Sequence, residues 1–175
     1  MADDEARHLG WCLQRLEELG HDYGDMPAHD LLWQGAEASK GHVTTRMVVI
    51  PMVQEARGLD AGPRLAEKLG SLGDAKSAAI VRRIAEEEKA HVAVGVVWFR
   101  YLCAALGLAD PGAEFVRQAE AHCAHSVKGP FNDAARQEVG LERGWYAAVG
   151  AGGPPEGAAA PELTAGAGDL EHLQR

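Results

Sequence analysis

Apolar residues recur three and four apart in segment after segment of this chain and almost nowhere alternate with period two, a pattern that predicts an all-α fold without strands. A first helix is predicted from about Asp3 to Leu19, with Leu9, Cys12, Leu16 and Leu19 on one face and Gly20 as its stop. Beyond the connector HDYGDMP, Pro27 stands near the start of a helix of about ten residues carrying Leu31, Leu32 and Trp33. The next helix covers about His42 to Arg57, is interrupted at Pro51 and is closed by Gly58, and a short helix follows Pro63. Asp74 is a good cap for the longest helix, about Ala75 to Leu106. Asp110-Pro111 opens another, reaching about Ser126, and Asn132 caps a final helix ending near Val149. Residues 1–149 then form one helical domain. Residues 150–175, rich in Gly, Ala and Pro, hold too few apolar side chains to offset the entropy of ordering and are predicted to be disordered.

One short motif occurs twice. In EEEKAHVAVG, Glu88 and His91 both fall within about 40° of Ile84 on a helical wheel, on the apolar stripe with Val81, Gly95 and Trp98. Arg82, Glu86 and Arg100 lie on the far side. Near the start, Glu5 and His8 share the face of Leu9, Cys12 and Leu16, so both pairs are expected to face the core. An ionised carboxylate facing a core needs compensation, and a metal ion supplies it through direct bonds. A Glu and a His three apart lie one turn from each other and can ligate one ion. Other readings stand beside this one. Glu5 alone reads as an ordinary first-turn acid favoured by the helix dipole, and Glu88 as an exposed edge or a buried ion pair. Glu55, taken as lying in the last turn before Gly58, is disfavoured by the dipole and calls for a cation, either Arg57 or a metal.

Composition narrows the function classes. With 175 residues, 46% of them apolar and 25% charged, the chain suits a single globular domain. No apolar run approaches the roughly 20 residues needed to cross a bilayer, so no membrane role is expected. A net charge of -9, with Arg82-Arg83 flanked by Glu86-Glu87-Glu88, counts against a nucleic-acid groove. Cys12, Cys103 and Cys123 form no Cys-x-x-Cys pair and read as buried reduced thiols, in keeping with a cytoplasmic location. His122-Cys123-Ala124-His125 has zinc-like residue types but no further ligands at metal spacing. His29, in PAHD, reads as a cap or surface residue, with a supporting hydrogen bond to a ligand as the sharper alternative.

Taken together and in order, Glu5/His8, Glu55 and Glu88/His91 resemble the diiron-carboxylate proteins of ferritin-like fold. Their pattern is a Glu on helix one, Glu-x-x-His on helix two, a Glu on helix three and Glu-x-x-His on helix four. The stretches LGHDYGDMPAHDLLW, EARGLD, EEEKAHVAVGVVWFRYLC and KGPFNDAAR look like the ferritin-like family catalogued as domain of unknown function 455, over roughly residues 3 to 141. The resemblance implies a ferritin-like bundle holding two iron ions, or manganese in place of one. His8 and His91 would be terminal nitrogen ligands, Glu5 and Glu88 would complete the shell, and Glu55 would bridge or flank the metals. It also implies dioxygen-dependent oxidation or hydroxylation of an organic substrate, a small molecule or an RNA. A non-catalytic iron- or metal-binding role and a decayed helical module are the alternatives. One departure stands out: the pattern places a helix with a bridging Glu before Glu5, where this chain has four residues. Five of the six implied ligands are present. The expectation is a ferritin-like bundle truncated at its N-terminus, by fragmentation or a start placed too far downstream, with extra C-terminal helices; the alternative is a protein that has lost one wall of its bundle.

Overall fold

In a computed structural model the chain is described from Met1 to Gly150, and those residues form helices and turns without a strand. The expectation of disorder after residue 149 therefore falls almost wholly outside the described residues. No described helix is long and apolar enough to cross a membrane.

Helix α1 spans Ala2–Glu18, with Asp3, Asp4 and Glu5 in its first turn, and gives way at Gly20, whose φ of 80° suits a residue without Cβ. Helix α2, Leu31–Ala38, begins four residues beyond Pro27 and not at that proline, where the start was expected. The largest departure from the sequence pattern follows. Helix α3 (Val43–Met47), a π-helical segment (Val48–Glu55) and helix α4 (Ala56–Ser71) run on without a break. Pro51 does not end the helix. Proline lacks the N–H of the ladder and its ring crowds the carbonyl of the preceding turn, and a widened π turn relieves both. Neither Gly58 nor Pro63 interrupts the run, and Gly58 keeps an ordinary negative φ.

Helix α5, Ala75–Ala105, starts where Asp74 accepts the Ser77 amide at 2.9 Å. It packs antiparallel to the α3–π–α4 run at two close crossings. A Cβ on Gly62 would lie 2.6 Å from Ala85 Cβ, and one on Gly95 would lie 2.5 Å from Pro51 Cβ. The core sits beside this pair, where Val92, Val96, Phe99 and Cys103 of α5 meet Val48, Val49 and Met52 of the π segment. Helix α6 (Pro111–His122) closes it with Phe115 and Ala119, and a 3-10 turn (Ala124–Ser126) follows. A buried polar chain ties α3 to α6: Thr45 Oγ1 donates to Gln118 Oε1 at 2.8 Å, and Gln118 Nε2 donates to Glu114 at 2.8 Å.

The last predicted helix is two, α7 (Asp133–Glu138) and α8 (Arg143–Ala148), separated at Gly140 with φ 79°. The KGPFN loop acquires a role here. Asp60 of α4, buried, receives two bonds from buried Arg136, at 2.9 and 2.6 Å, and a third from the Asn132 amide at 2.8 Å. Asn132 also caps α7 and donates to Leu59 O, so the loop is latched to the first turns of α4.

The expectation that the apolar side of α1, Cys12 included, is buried is corrected. The apolar side of α1 is not covered: Leu9 and Leu19 are about half exposed, Cys12 is exposed, and His8 is the buried residue of that helix. Cys103 and Cys123 are buried as expected, and burial pushes the Cys123 thiol up to about 12.

Candidate metal centre

Helix α1 crosses α5 so that the two Glu-x-x-His pairs face each other, and Glu55 enters from the junction of the π segment and α4. The α1–α5 contact is held largely by polar groups: Arg15 bonds Ser77 and Asp74, and Lys76 pairs with Glu18. At the level of the pairs, the structure brings Glu5, His8, Glu55, Glu88 and His91 together. Two groups of potential ligand atoms, each with its atoms within 4.8 Å of one another, share Glu5: one is Glu5, His8 and Glu88, the other Glu5, Glu55 and His91.

Both imidazoles turn Nδ1 inward. His91 Nδ1 lies 3.0 Å from Glu5 Oε1 and 3.0 Å from Glu88 Oε2. His8 Nδ1 lies 3.4 Å from Glu88 Oε1 and 3.9 Å from Glu5 Oε2, and is buried without a hydrogen bond. The outer nitrogens are held by carboxylates in a crossed arrangement. Asp4, the residue before Glu5 on α1, binds Nε2 of His91 on α5 at 2.9 Å. Glu87, the residue before Glu88 on α5, binds Nε2 of His8 on α1 at 2.9 Å. Arg7 Nη2 donates to both acids, at 2.8 Å to Asp4 and 2.7 Å to Glu87, and so ties the two supports into one network. A carboxylate on the outer nitrogen fixes the tautomer and leaves the inner lone pair for a cation.

The electrostatics record a crowd of like charges. Burial raises Glu55 to about 7, and the charge of Glu88 adds to the effect. One Glu55 oxygen is buried with no partner. Burial and the neighbouring charge of Glu5 raise Glu88 as well. For His91, burial favours the neutral ring, but the bond to Asp4 and the charges of Glu88, Glu55 and Glu5 outweigh it, so its pKa is raised. Hydrogen bonds from His91 and Arg7 hold Asp4 far below the usual carboxylate range, and bonds from Arg7 and His8 bring Glu87 down to about 2.

An orphaned Glu55 oxygen, an orphaned His8 nitrogen and three converging carboxylates fit a site for cations. The mixed oxygen and imidazole donors suit iron or manganese better than a thiolate-preferring ion. Beside the cluster a cleft of about 480 Å³, lined by Glu5, Glu55 and Glu88 with Leu32, Ile50 and Ile84, leads to solvent. Glu5 is its open flank, with 53% of its side chain exposed.

Some expected features lie elsewhere. Arg57 donates to Ser126 O and not to Glu55, and Glu55 is in mid-run, so the expected conflict with a helix C-terminus does not exist. His29, His122 and His125 are exposed and belong to neither ligand group. Asp4, Arg7 and Glu87 are not among the residues the sequence pattern singles out. The two acids have a sequence signal, since each stands immediately before a motif glutamate, in Asp4-Glu5 and Glu87-Glu88, whereas Arg7 has none.

A protein of Haemophilus influenzae, described as uncharacterized, is 35% identical over 141 residues, a match covering 81% of this chain and 49% of the relative. The chain thus spans about half the length of that relative. No solved structure matches. The family model described as Protein of unknown function (DUF455) matches residues 1–147, and the chain belongs to that family.

Proposed function

We propose that the cluster is a two-metal centre of the ferritin-like diiron-carboxylate type, holding two iron ions or one iron and one manganese. The observation that carries this reading is Glu5, shared by two ligand groups that each add a histidine and a further carboxylate. One ion would take Glu5, His8 and Glu88, and the other Glu5, Glu55 and His91. Such ions supply redox capacity and coordination positions for dioxygen. The chain's own contributions are distinct. Asp4 and Glu87 orient the imidazoles, Arg7 holds those acids in register, and Leu32, Ile50 and Ile84 line the approach with apolar surface that would receive an organic substrate. The proposed activity is dioxygen-dependent oxidation or hydroxylation of such a substrate. A small molecule suits the acidic chain better than RNA.

A metal-free reading has one observation in its favour. His91 Nδ1 lies 3.0 Å from both Glu5 and Glu88, so a doubly protonated His91 would neutralise part of the cluster without an ion. Dioxygen uptake by the iron-reconstituted chain separates the possibilities. Sustained uptake that depends on an organic co-substrate supports the oxygenase, and uptake in proportion to added ferrous ion replaces it with an iron-handling role. A chain that takes up no metal removes both.

A further inference from the structure

Behind His8 stands a support made of one indole and two guanidiniums. The Glu87 carboxylate that binds His8 Nε2 at 2.9 Å also accepts from Arg7 at 2.7 Å and from Arg83 Nε, one turn earlier on α5, at 3.2 Å. Both guanidiniums lie over the ring of Trp11, Arg83 with its Cζ 4.4 Å from the centroid and Arg7 with its Cζ 5.5 Å away. The His8 ring is 5.6 Å from the same indole, centroid to centroid. Trp11 therefore stands against all three side chains that donate to Glu87. Helical spacing puts it there: Trp11 follows Arg7 by four residues and His8 by three on α1, and Arg83 precedes Glu87 by four on α5.

An arginine–carboxylate pair at a surface contributes little on its own, because two long side chains give up rotamer freedom to form it. Arg83 is such a case, with 65% of its side chain exposed. A half-buried indole changes this. Its face attracts a guanidinium, and few of its own bonds need fixing. With Arg83 and Arg7 held on the ring, Glu87 is fixed, and the Nε2–H of His8 has one acceptor to point at. That outer bond sets the direction of the inner lone pair at Nδ1.

The other imidazole lacks this backing. His91 Nε2 is held by Asp4, which Arg7 binds at 2.8 Å, and among the described residues the ring beside His91 is that of His8, 6.1 Å away. Arg7 serves both acids. Arg83, the guanidinium nearer the indole, serves Glu87 alone among the described residues. The two Glu-x-x-His pairs are alike in sequence and unlike in what stands behind them.

We propose that Trp11 is a positioning residue for one of the two metal positions, that of Glu5, His8 and Glu88, acting through Arg7, Arg83 and Glu87 on the His8 ring, and that the position of Glu5, Glu55 and His91 does not use it. Its consequence for metal binding rests on the two-metal reading; its consequence for the free imidazole rests on the hydrogen bonds alone. Nitrogen NMR of the metal-free chain at fixed pH reads the tautomer of each histidine. Trp11→Leu should turn a single Nε2–H form of His8 into a mixture and leave His91 unchanged, and Trp11→Phe, which keeps an aromatic face, should restore the single form. After anaerobic loading with ferrous iron, Trp11→Leu should hold one of its two ions about 10- to 100-fold less tightly in competition with a chelator, and Trp11→Phe should hold both. Adding His8→Ala to Trp11→Leu should leave the tighter ion in place, whereas adding His91→Ala should release it. Circular dichroism confirms folding, and Arg83→Gln, at an exposed side chain, should act in the same direction and serves if Trp11→Leu unfolds. The proposal is overturned if the His8 tautomer does not change, if both histidines respond alike, or if both ions loosen equally. An unsubstituted chain that takes up no iron removes the two-metal reading, and the imidazole measurement still decides the role of Trp11.

Discussion

Replacing Glu55 with Gln separates what this carboxylate does to the fold from what it does in the cluster. Its pKa rises from an ordinary 4.5 to about 7 because it is buried beside Glu88, with one oxygen lacking any partner. The folded state therefore holds the Glu55 proton more tightly than the unfolded chain does. The sign follows: this contribution to stability is fully present below about pH 4.5 and is lost as pH rises through about 7. At about 1.4 kcal/mol per pH unit the difference sets a ceiling of about 3 kcal/mol. Water reaches part of the side chain, and screening reduces the effect to about 1.5 kcal/mol. Glutamine keeps the shape, cannot ionise and offers an N–H to the neighbouring carboxylates. For a chain of this length, thermal unfolding of the metal-free Glu55→Gln protein at about pH 8 should come about 3–6 °C above that of the unsubstituted chain, and the gap should close by about pH 5. His91 and Glu88 are raised as well and move stability in the same direction, so the difference between the two proteins is the quantity to read. Equal melting at about pH 8, or a gap that widens toward about pH 5, would refute the assignment of an uncompensated buried charge to Glu55.

Other substitutions test the supports and the packing. Asp4→Asn and Arg7→Ala should each weaken metal retention about 10- to 100-fold by loosening the imidazoles, measured by competition with a chelator while circular dichroism stays unchanged. Asp60→Ala leaves Arg136 buried without its partner and should destabilise the chain by about 3–5 kcal/mol in urea unfolding. Gly95→Ala forces a methyl group toward Pro51, where a Cβ would lie 2.5 Å away, and should cost about 1–3 kcal/mol in the same assay.

Helix starts were the most legible part of the sequence, because a cap is a local event. Asp74, Asp110 and Asn132 each accept the amide three residues on, and α5, α6 and α7 begin there. Helix ends were less legible. Gly58 and Pro63 look like stops, yet packing of the α3–π–α4 run along all of α5 overrides local preference, and a π turn accommodates Pro51. Gly140 does divide its helix, because there the backbone adopts a positive φ. The five clustered residues could be chosen from the order of Glu and His along helical faces. The helix terminus that marks Glu55 in the sequence is absent from the structure, and Glu55 reaches the cluster because the π segment and α4 carry it beside Glu88. The acids Asp4 and Glu87 are visible beside the motif glutamates, but their crossed pairing is not legible from single helices, since each acts on the histidine of the other helix. The exposure of Leu9 and Trp98 was hidden for the opposite reason. A helical wheel shows which residues share a face, and only the assembled helices show whether anything covers it.

The central claim is that Glu5 joins two metal positions, and the most direct test is the metal content of the chain after anaerobic reconstitution with ferrous iron and removal of loose metal. About two equivalents are expected, falling to about one or fewer in Glu5→Ala, Glu88→Ala and His91→Ala proteins that remain helical. Retention below about a tenth of an equivalent by the unsubstituted chain, or full loading of the three variants, would contradict it.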